Sequence, residues 1–242
     1  MLNYLVQEHT MEWKNFWNNY PSKFEETEFL KQVEKTVSGK PISQDQFAAL
    51  ISDIKKALDV KEDDIVLDMC CGNGVITRVI AGVCNSIVGV DYSEPLIKVA
   101  RKYNNPGNVI YFQKSILDQG LKNLHNRLFT KIYLYEALQH FDENDLPKIL
   151  DAIREISTSN SVIFIGSIPD IDRLWNFYDT DERRKDYFIR KSKNEEAIGT
   201  WWQQNHVVDI CSKNGYLCEV LPQNQKLHTA HYRFDVRLIK AG

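Results

Sequence analysis

The chain alternates between short apolar runs and amphipathic stretches from about residue 63 to residue 167. The apolar runs have the length of strands and few polar residues inside them, which is typical of strands buried on both faces. They read DDIVLDMC, SIVGVD, NVIYFQ, FTKIYLY and SVIFIGSI. The intervening stretches have helical periodicity, most clearly ENDLPKILDAIREI, whose leucines and isoleucines recur on one face. This alternation predicts an α/β fold, in which helices cover both faces of a parallel sheet.

The N-terminal region lies outside this alternation. Its pattern predicts helices at residues 25–37 and 43–58, and Gly39 and Pro41 mark the break between them. We therefore expect residues 1–60 to form a helical cap.

The C-terminal third begins with an insert. Residues 170–199 are charged and aromatic, and a helix is predicted at about residues 201–213, ended by Asn214 and Gly215. Two strands follow, YLCEVL and HYRFDVRLIK, and the second alternates between apolar and polar residues as an antiparallel edge strand would. We expect one structural unit, with a core at residues 61–242 and a lid over the substrate at residues 170–214.

Composition and charge narrow the classes of function. The chain has 242 residues, 43% hydrophobic and 26% charged, with a net charge of -3, so no basic excess points to nucleic acid. No apolar run approaches the roughly 20 residues that span a membrane, and the N-terminus lacks the pattern of a secretory signal. We therefore expect a cytoplasmic protein with no nucleic-acid or membrane partner. The five cysteines form no C-x-x-C pair, so we expect reduced thiols and no metal site.

The loop after the first core strand carries the main chemical signal. Ligands of such sheets bind beyond the carboxyl ends of the strands. Gly72 and Gly74 let the backbone approach a ligand closely, and the N–H groups of the next helix can bind an anionic group. Asp91 ends the second core strand, where a carboxylate can accept hydrogen bonds from both hydroxyls of a ribose.

Two details separate S-adenosylmethionine from a dinucleotide as the ligand. Thr77 stands where the dinucleotide fingerprint requires a third small residue. Asp68 stands just before the loop, where a carboxylate would repel a pyrophosphate but attract a cationic amino-acid group. Both details favour S-adenosylmethionine, and an NAD-dependent oxidoreductase is the weaker alternative.

Several segments of the chain resemble the motifs of a known family. VLDMCCGNG is similar to the first motif of the class I S-adenosylmethionine-dependent methyltransferases, in their small-molecule type. The segments DYS, QKSI and YEALQHF resemble the motifs that follow the second, third and fourth strands of that family. Two residues depart from the family pattern, because Cys70 replaces a glycine and Ser115 replaces an aspartate. Members that methylate base nitrogens carry N/D-P-P-Y after the fourth strand, which this chain lacks.

The resemblance implies a three-layer, doubly wound fold. In that fold a seven-stranded sheet is mostly parallel and its last strand is antiparallel. In this chain we expect two additions to the fold, which are the N-terminal helical cap and a lid insert after strand 5. The implied cofactor is S-adenosylmethionine. The residues expected to bind it are Asp68, Cys70, Gly72, Gly74, Asp91, Tyr92, Ser115, Ile116, Tyr135, Glu136 and Tyr20. Glu136 could instead complete a helix start.

The remaining candidates concern the acceptor. A hydroxyl acceptor needs a base, and the candidate catalytic residues are His140, His206 and His231. Trp201, Trp202 and His228 are the candidates for contacts with the substrate. For each of these residues a purely structural or solvent-exposed role is the alternative.

The insert is locally basic around Arg183 and Arg184, which is typical of a solvated face or of a docking site for an anionic acceptor, such as a sugar nucleotide or an acidic carrier protein.

The sequence thus predicts transfer of a methyl group from S-adenosylmethionine to a small molecule. The favoured acceptor is a hydroxyl of a natural product, a carrier-bound group or a sugar, as in small-molecule O-methylation for biosynthesis. A non-catalytic module that binds S-adenosylmethionine is the alternative from a different class.

Overall fold

The computed structural model describes residues 9–118, 121–193 and 195–241. Their strands form one two-stranded hairpin and one seven-stranded sheet. In chain order the strands are β1 (Thr36–Val37), β2 (Lys40–Pro41), β3 (Ile65–Met69), β4 (Ser86–Asp91), β5 (Val109–Gln113), β6 (Phe129–Tyr135), β7 (Ser157–Pro169), β8 (Tyr216–Pro222) and β9 (Arg233–Lys240).

The large sheet confirms the predicted fold class. Its order is β5-β4-β3-β6-β7-β9-β8, and all pairs from β5 to β7 are parallel. Strand β9 runs antiparallel to both β7 and β8. The chain builds outward from β3 to β5 on one side and returns to β6 on the other, so the switch point lies at the carboxyl ends of β3 and β6.

The prediction of the last strand as an edge strand is wrong, because β9 lies between β7 and β8 and β8 forms the edge. The alternation that suggested an edge comes from polar residues that are buried with partners. Asp235 accepts a hydrogen bond from the Ser167 amide at 2.7 Å, and the Arg233 guanidinium donates to the Ser167 carbonyl at 2.5 Å. The true edge strand exposes Leu217 to 59%.

Helices flank the sheet, with short helices in the cap and the insert. They are α1 (His9–Asn19), α2 (Phe29–Gln32), α3 (Gln44–Leu58), α4 (Thr77–Ile80), α5 (Glu94–Tyr103), α6 (Asp145–Ile156), α7 (Leu174–Phe177), α8 (Asp181–Ser192) and α9 (Gln204–Lys213).

The cap is only partly as predicted. Helix α3 begins after Ser43, whose side chain accepts from the Gln46 amide, and this confirms the predicted helix at 43–58. The predicted helix at 25–37 is wrong beyond the single turn of α2. Strands β1 and β2 replace its end, because Ser38 and Gly39 adopt left-handed backbone conformations with φ of 50° and 75° and reverse the chain between them.

Two large hydrophobic clusters of the described residues form the core, one on each face of the sheet, and a smaller third cluster lies in the insert around Tyr178. Leu67 and Met69 of β3 belong to the cluster that includes α6 and α9, whereas Val66 belongs to the cluster that includes α3, α4 and α5. Successive residues of one strand thus pack in opposite directions, which explains the continuous apolar runs of the sequence.

Helix α1 lies across the end of β4. The Tyr92 hydroxyl donates to the Trp13 carbonyl at 2.9 Å, and the Ser93 hydroxyl donates to the Trp17 carbonyl at 2.7 Å. The first helix thus borders the edge of the sheet where ligands bind in this architecture. Among the residues that the structure describes, no helix combines the length and apolar character needed to cross a membrane.

A first prediction concerns Gly74, which has φ of 75° and whose missing Cβ would lie 2.3 Å from the Tyr111 hydroxyl. Gly39 has the same φ, but a Cβ there would meet no atom within 4 Å. Gly39→Ala should cost about 1–2 kcal/mol of unfolding free energy from backbone strain alone. Gly74→Ala should cost about 1–3 kcal/mol more, because the added methyl group overpacks the site. Urea unfolding measures both losses, and equal losses would show that the Tyr111 contact is unimportant.

Candidate active site

A cavity of about 610 Å³ lies at the carboxyl edge of the sheet. Its walls come from the loops after β3, β4 and β6, from the cap, and from the segment before β9. The switch point of the sheet therefore opens into a cleft of the size that holds small molecules.

The loop after β3 forms one wall through left-handed backbone conformations. The φ angles are 62° at Cys70, 56° at Gly72 and 75° at Gly74. Cys70 and Gly72 line the cavity, whereas Gly74 faces Tyr111. A non-glycine residue in this conformation costs roughly 1–2 kcal/mol, so Cys70, the residue that departs from the family pattern, is also the strained residue of the loop.

Asp91 ties this loop to the next strand. Its carboxylate accepts from the Gly72 amide at 2.9 Å and from the Ser93 amide at 2.8 Å, and the residue lines the cavity. Burial raises the pKa of Asp91 to about 6. Because each carboxylate oxygen has a second lone pair, the ionised group can still accept two hydroxyls. This geometry fits the predicted ribose contact.

The structure places Asp68 behind the loop, where it does not line the cavity, which departs from the predicted cofactor contact. One carboxylate oxygen accepts from the hydroxyls of Thr77 and Tyr133, both at 2.6 Å. Asp68 is only 3% exposed, and burial raises its pKa to about 7. Its contacts therefore anchor the loop to helix α4 and to strand β6.

An ion pair between the cap and strand β6 forms the opposite wall. Glu136 follows β6 with φ of 56° and accepts from the Lys35 ammonium at 2.5 Å. Burial raises the pKa of Glu136, but Lys35 and Arg233 together outweigh that effect and hold it below its usual value. Glu136 is therefore ionised at neutral pH. Lys35 is buried at 7% exposure, and sequence reasoning missed it because it fell in the wrongly predicted helix.

Among the candidate bases, His140 lines the cavity but is held by the cap. Its Nε2 accepts from the Trp17 indole at 3.3 Å, and the Trp13 ring lies 4.3 Å from the imidazole. Burial and the nearby Arg233 lower the pKa of His140 to about 3, so the ring is neutral. Since Trp17 uses the lone pair of Nε2, the buried Nδ1 carries the proton and finds no acceptor among the described residues.

His228 also lines the cavity and has the geometry of a base. Its Nδ1 lies 2.9 Å from the Gln46 carbonyl oxygen, which can only accept, so Nδ1 carries the proton and Nε2 keeps a free lone pair. Burial lowers the pKa of His228, which keeps the ring neutral at neutral pH. His231 is exposed and reaches the cavity, whereas His206 lies outside it, 3.1 Å from Glu143.

The predicted cofactor and substrate residues are divided between the cavity and other places. Tyr92 and Tyr135 line it, but Tyr20, Ser115 and Ile116 do not. Ser115 accepts from the Leu117 amide in a turn, and Ile116 is buried in the core.

The predicted aromatic pair is divided as well. Trp202 is a core residue at 1% exposure, while Trp201 lines a neighbouring cavity of about 630 Å³ together with Trp13 and Tyr187. The geometry does not favour the predicted roles of Ser115, Ile116, His206 and Trp202. The predicted cofactor and substrate contacts of the other residues stay predictions.

Two arginines line the cavity. Arg183 lines it and forms an ion pair with Asp179 at 2.8 Å, whereas Arg184 does not line it. Arg233, which the sequence analysis missed, is buried at 4% exposure and also lies near Gln139 at 3.5 Å. In the described part of the chain, no group of three or more histidine, cysteine or acidic residues could hold a metal ion.

Comparisons with known proteins agree with this architecture. Residues 66–160 match a family model described as a methyltransferase domain. This segment contains the loop after β3, Asp91 and the residues that follow β6.

Two curated relatives match parts of the chain. An uncharacterized methyltransferase of Schizosaccharomyces pombe is 37% identical over 65 residues, which are 27% of this chain and 25% of the relative. A ubiquinone biosynthesis O-methyltransferase of Histophilus somni is 27% identical over 114 residues, which are 46% of this chain and 47% of the relative. The chain thus matches about half or less of the length of these relatives.

The fold extends further than the sequence similarity. The crystal structure of a magnesium protoporphyrin IX methyltransferase from Synechocystis, with bound S-adenosylmethionine, superposes with a TM-score of 0.62. The match covers 99% of this chain and 100% of the other at 10% identity, which shows a common fold. Residues 66–160 are thus similar to a methyltransferase domain, and the described chain has the class I, Rossmann-like fold of the S-adenosylmethionine-dependent methyltransferases.

Proposed function

We propose that the protein transfers the methyl group of S-adenosylmethionine to a hydroxyl of a small molecule bound in the cavity at the carboxyl edge of the sheet. The observation that carries this proposal is the pairing of the Asp91 carboxylate with the Gly72 amide at that edge. It brings a carboxylate that can accept ribose hydroxyls and a loop that allows close backbone approach together in one wall of the cavity of about 610 Å³.

The residues present fit S-adenosylmethionine. Asp91 would accept the ribose hydroxyls, and the backbone at Cys70 and Gly72 would border the amino-acid portion. Glu136 is ionised and lines the cavity, so it would accept from the ammonium group of the cofactor. When bound, the cofactor supplies an electrophilic methyl group on a sulfonium, and the protein's part is to position the acceptor and to remove its proton.

For a hydroxyl acceptor, His228 is the base that the geometry favours. Gln46 holds the Nδ1 proton, which leaves Nε2 free to take a proton from the acceptor. His140 has its Nε2 lone pair occupied by Trp17, and His206 lies outside the cavity. This assignment differs from the sequence-based one, which gave His228 a role in substrate contact.

The alternatives are separated by binding and turnover. Isothermal titration with S-adenosylmethionine and NAD should show binding of the first alone. If S-adenosylmethionine binds but no member of a broad panel of hydroxylated acceptors is methylated, a non-catalytic binding module is favoured.

A second prediction tests the ribose contact. Asp91→Asn should lower the affinity for S-adenosylmethionine about 10- to 100-fold, because a hydrogen bond to a charged group contributes about 1.5–3 kcal/mol. The matched control is Asp64→Asn, which removes the charge of an aspartate that is also buried but precedes β3, at the opposite edge of the sheet. Isothermal titration measures both. Equal affinities of the two variants would contradict the assignment.

A third prediction concerns pH. The raised pKa of Asp91, about 6 because of burial, means that the carboxylate is protonated below that pH in the free protein. A protonated carboxyl accepts the ribose hydroxyls less well, so the affinity for S-adenosylmethionine should be constant above about pH 7 and fall as pH decreases through 6. In Asp91→Asn this fall should be absent. A fall of the same size in that variant would assign the pH dependence to another group.

A fourth prediction tests the base. His228→Asn should lower kcat about 10²- to 10⁴-fold, the usual contribution of general base catalysis, and leave the affinity for S-adenosylmethionine unchanged. His206→Asn is the matched control and should retain full activity. Because burial lowers the pKa of His228, the acid limb of kcat should lie below the usual pH of a histidine. The measurement is formation of S-adenosylhomocysteine with an acceptor found in the screen, and full activity of His228→Asn would exclude it as the base.

A further inference from the structure

Arg233 is a buried cation whose hydrogen bonds are incomplete. It begins β9, lines the cavity and is 4% exposed. Its guanidinium donates to the Ser167 carbonyl at 2.5 Å and approaches the Gln139 side chain at 3.5 Å, and both of these partners are neutral. Its buried Nε–H finds no acceptor among the described residues. Among the described residues no carboxylate forms an ion pair with Arg233, and a buried cation with an unsatisfied N–H is costly, so a further acceptor at this position would stabilise it.

The carboxylates around Arg233 are engaged with other partners. Glu136 accepts from Lys35 at 2.5 Å, so two buried cations share one ionised carboxylate. Asp235 accepts from the Ser167 amide at 2.7 Å and from Gln223 at 3.2 Å, and burial raises its pKa to about 6. Both carboxylates lie near Arg233, but among the described residues neither accepts a hydrogen bond from its guanidinium, so the buried Nε–H is left without a carboxylate partner.

Arg183 makes a useful contrast, since it lines the same cavity. Its guanidinium forms an ion pair with Asp179 at 2.8 Å and lies 4.6 Å from the centre of the Phe177 ring. About half of its side chain is exposed to solvent. The sequence predicted either a solvated face or an anion-docking site around Arg183, and its charge is in fact paired and largely solvated, whereas the Arg233 guanidinium is buried and has no ion pair among the described residues.

We infer that the acceptor carries a carboxylate and that Arg233 binds it. This inference rests on the proposed function and names the substrate class of the same cavity. A carboxylate matches the planar guanidinium and would provide the acceptor that Nε–H lacks. Arg233 lies beside His231 and Tyr232 in the chain and shares the cavity with His228, so the carboxylate would be anchored on the side of the proposed base.

The carboxylate that binds Arg233 could also be that of S-adenosylmethionine itself. The two sources differ in which affinity depends on Arg233. If Arg233 binds the acceptor, its loss should leave cofactor affinity intact. If Arg233 binds the cofactor, its loss should lower the affinity for S-adenosylhomocysteine.

The experiment uses the full chain saturated with S-adenosylhomocysteine and two probes of equal shape, benzoate and the uncharged benzamide. Isothermal titration should show that the wild-type protein binds benzoate at least about tenfold more tightly than benzamide, as expected for charged hydrogen bonds. Arg233→Met, which keeps the length of the side chain but not its charge, should abolish this preference. Arg183→Met is the matched control and should retain it, and Arg233→Lys should retain part of it.

Each outcome has one meaning. Binding of neither probe, or an equal preference in Arg233→Met, overturns the inference. If Arg233→Met binds S-adenosylhomocysteine more weakly but keeps the preference for benzoate, Arg233 binds the cofactor instead. If thermal unfolding shows that Arg233→Met is not folded, Arg233→Lys provides the test. Its preference for benzoate over benzamide should be smaller than that of the wild-type protein, and an undiminished preference would contradict the role of the guanidinium. Failure of the wild-type protein to bind S-adenosylhomocysteine would refute the proposed function rather than this inference.

Discussion

The site depends on a short loop that two buried carboxylates hold in an unfavourable backbone conformation. Between β3 and α4 the chain enters the left-handed region at Cys70, Gly72 and Gly74. Asp68 fixes the start of the loop to Tyr133 and Thr77, while Asp91 holds the Gly72 amide from the side. Without these contacts the loop would lose the geometry that opens the cavity, because each left-handed residue other than glycine costs about 1–2 kcal/mol.

The sequence analysis predicted this part of the molecule well because its signals are local. Apolar runs marked the central strands, and glycines marked the loop. The role of Asp68 was not predictable in the same way. Its partner Tyr133 lies beside it in the parallel register of β3 and β6, and no pattern within either strand reveals that pairing. A carboxylate before a glycine loop can therefore support the loop rather than touch the ligand.

The two cations that shape the cavity lay in the two segments whose structure was predicted wrongly. Lys35 fell in a predicted helix that ends at Gln32, and it lies just before the β1–β2 hairpin. Arg233 fell in a strand predicted to be an edge strand, which lies inside the sheet. The cause is the same in both cases. A single sequence shows that a residue is polar, but not whether the fold buries it with a partner, and the default of solvent exposure fails where polar groups line a cavity.

Charged groups lie on both walls of the cavity, and their positions constrain the chemistry proposed for it. Asp91 lies on the wall of the glycine loop, whereas Lys35 and Arg233 lie beyond Glu136 on the other. A cofactor with a sulfonium and an ammonium group would gain from Glu136 between the walls, and an acceptor with negative charge would gain from Arg233. Methyl transfer turns the sulfonium into a neutral thioether, and the acceptor's proton, with its positive charge, would pass to His228. A bound carboxylate would attract the cofactor before the reaction and hold its neutral product less strongly afterwards, so the same arrangement would favour both binding and release.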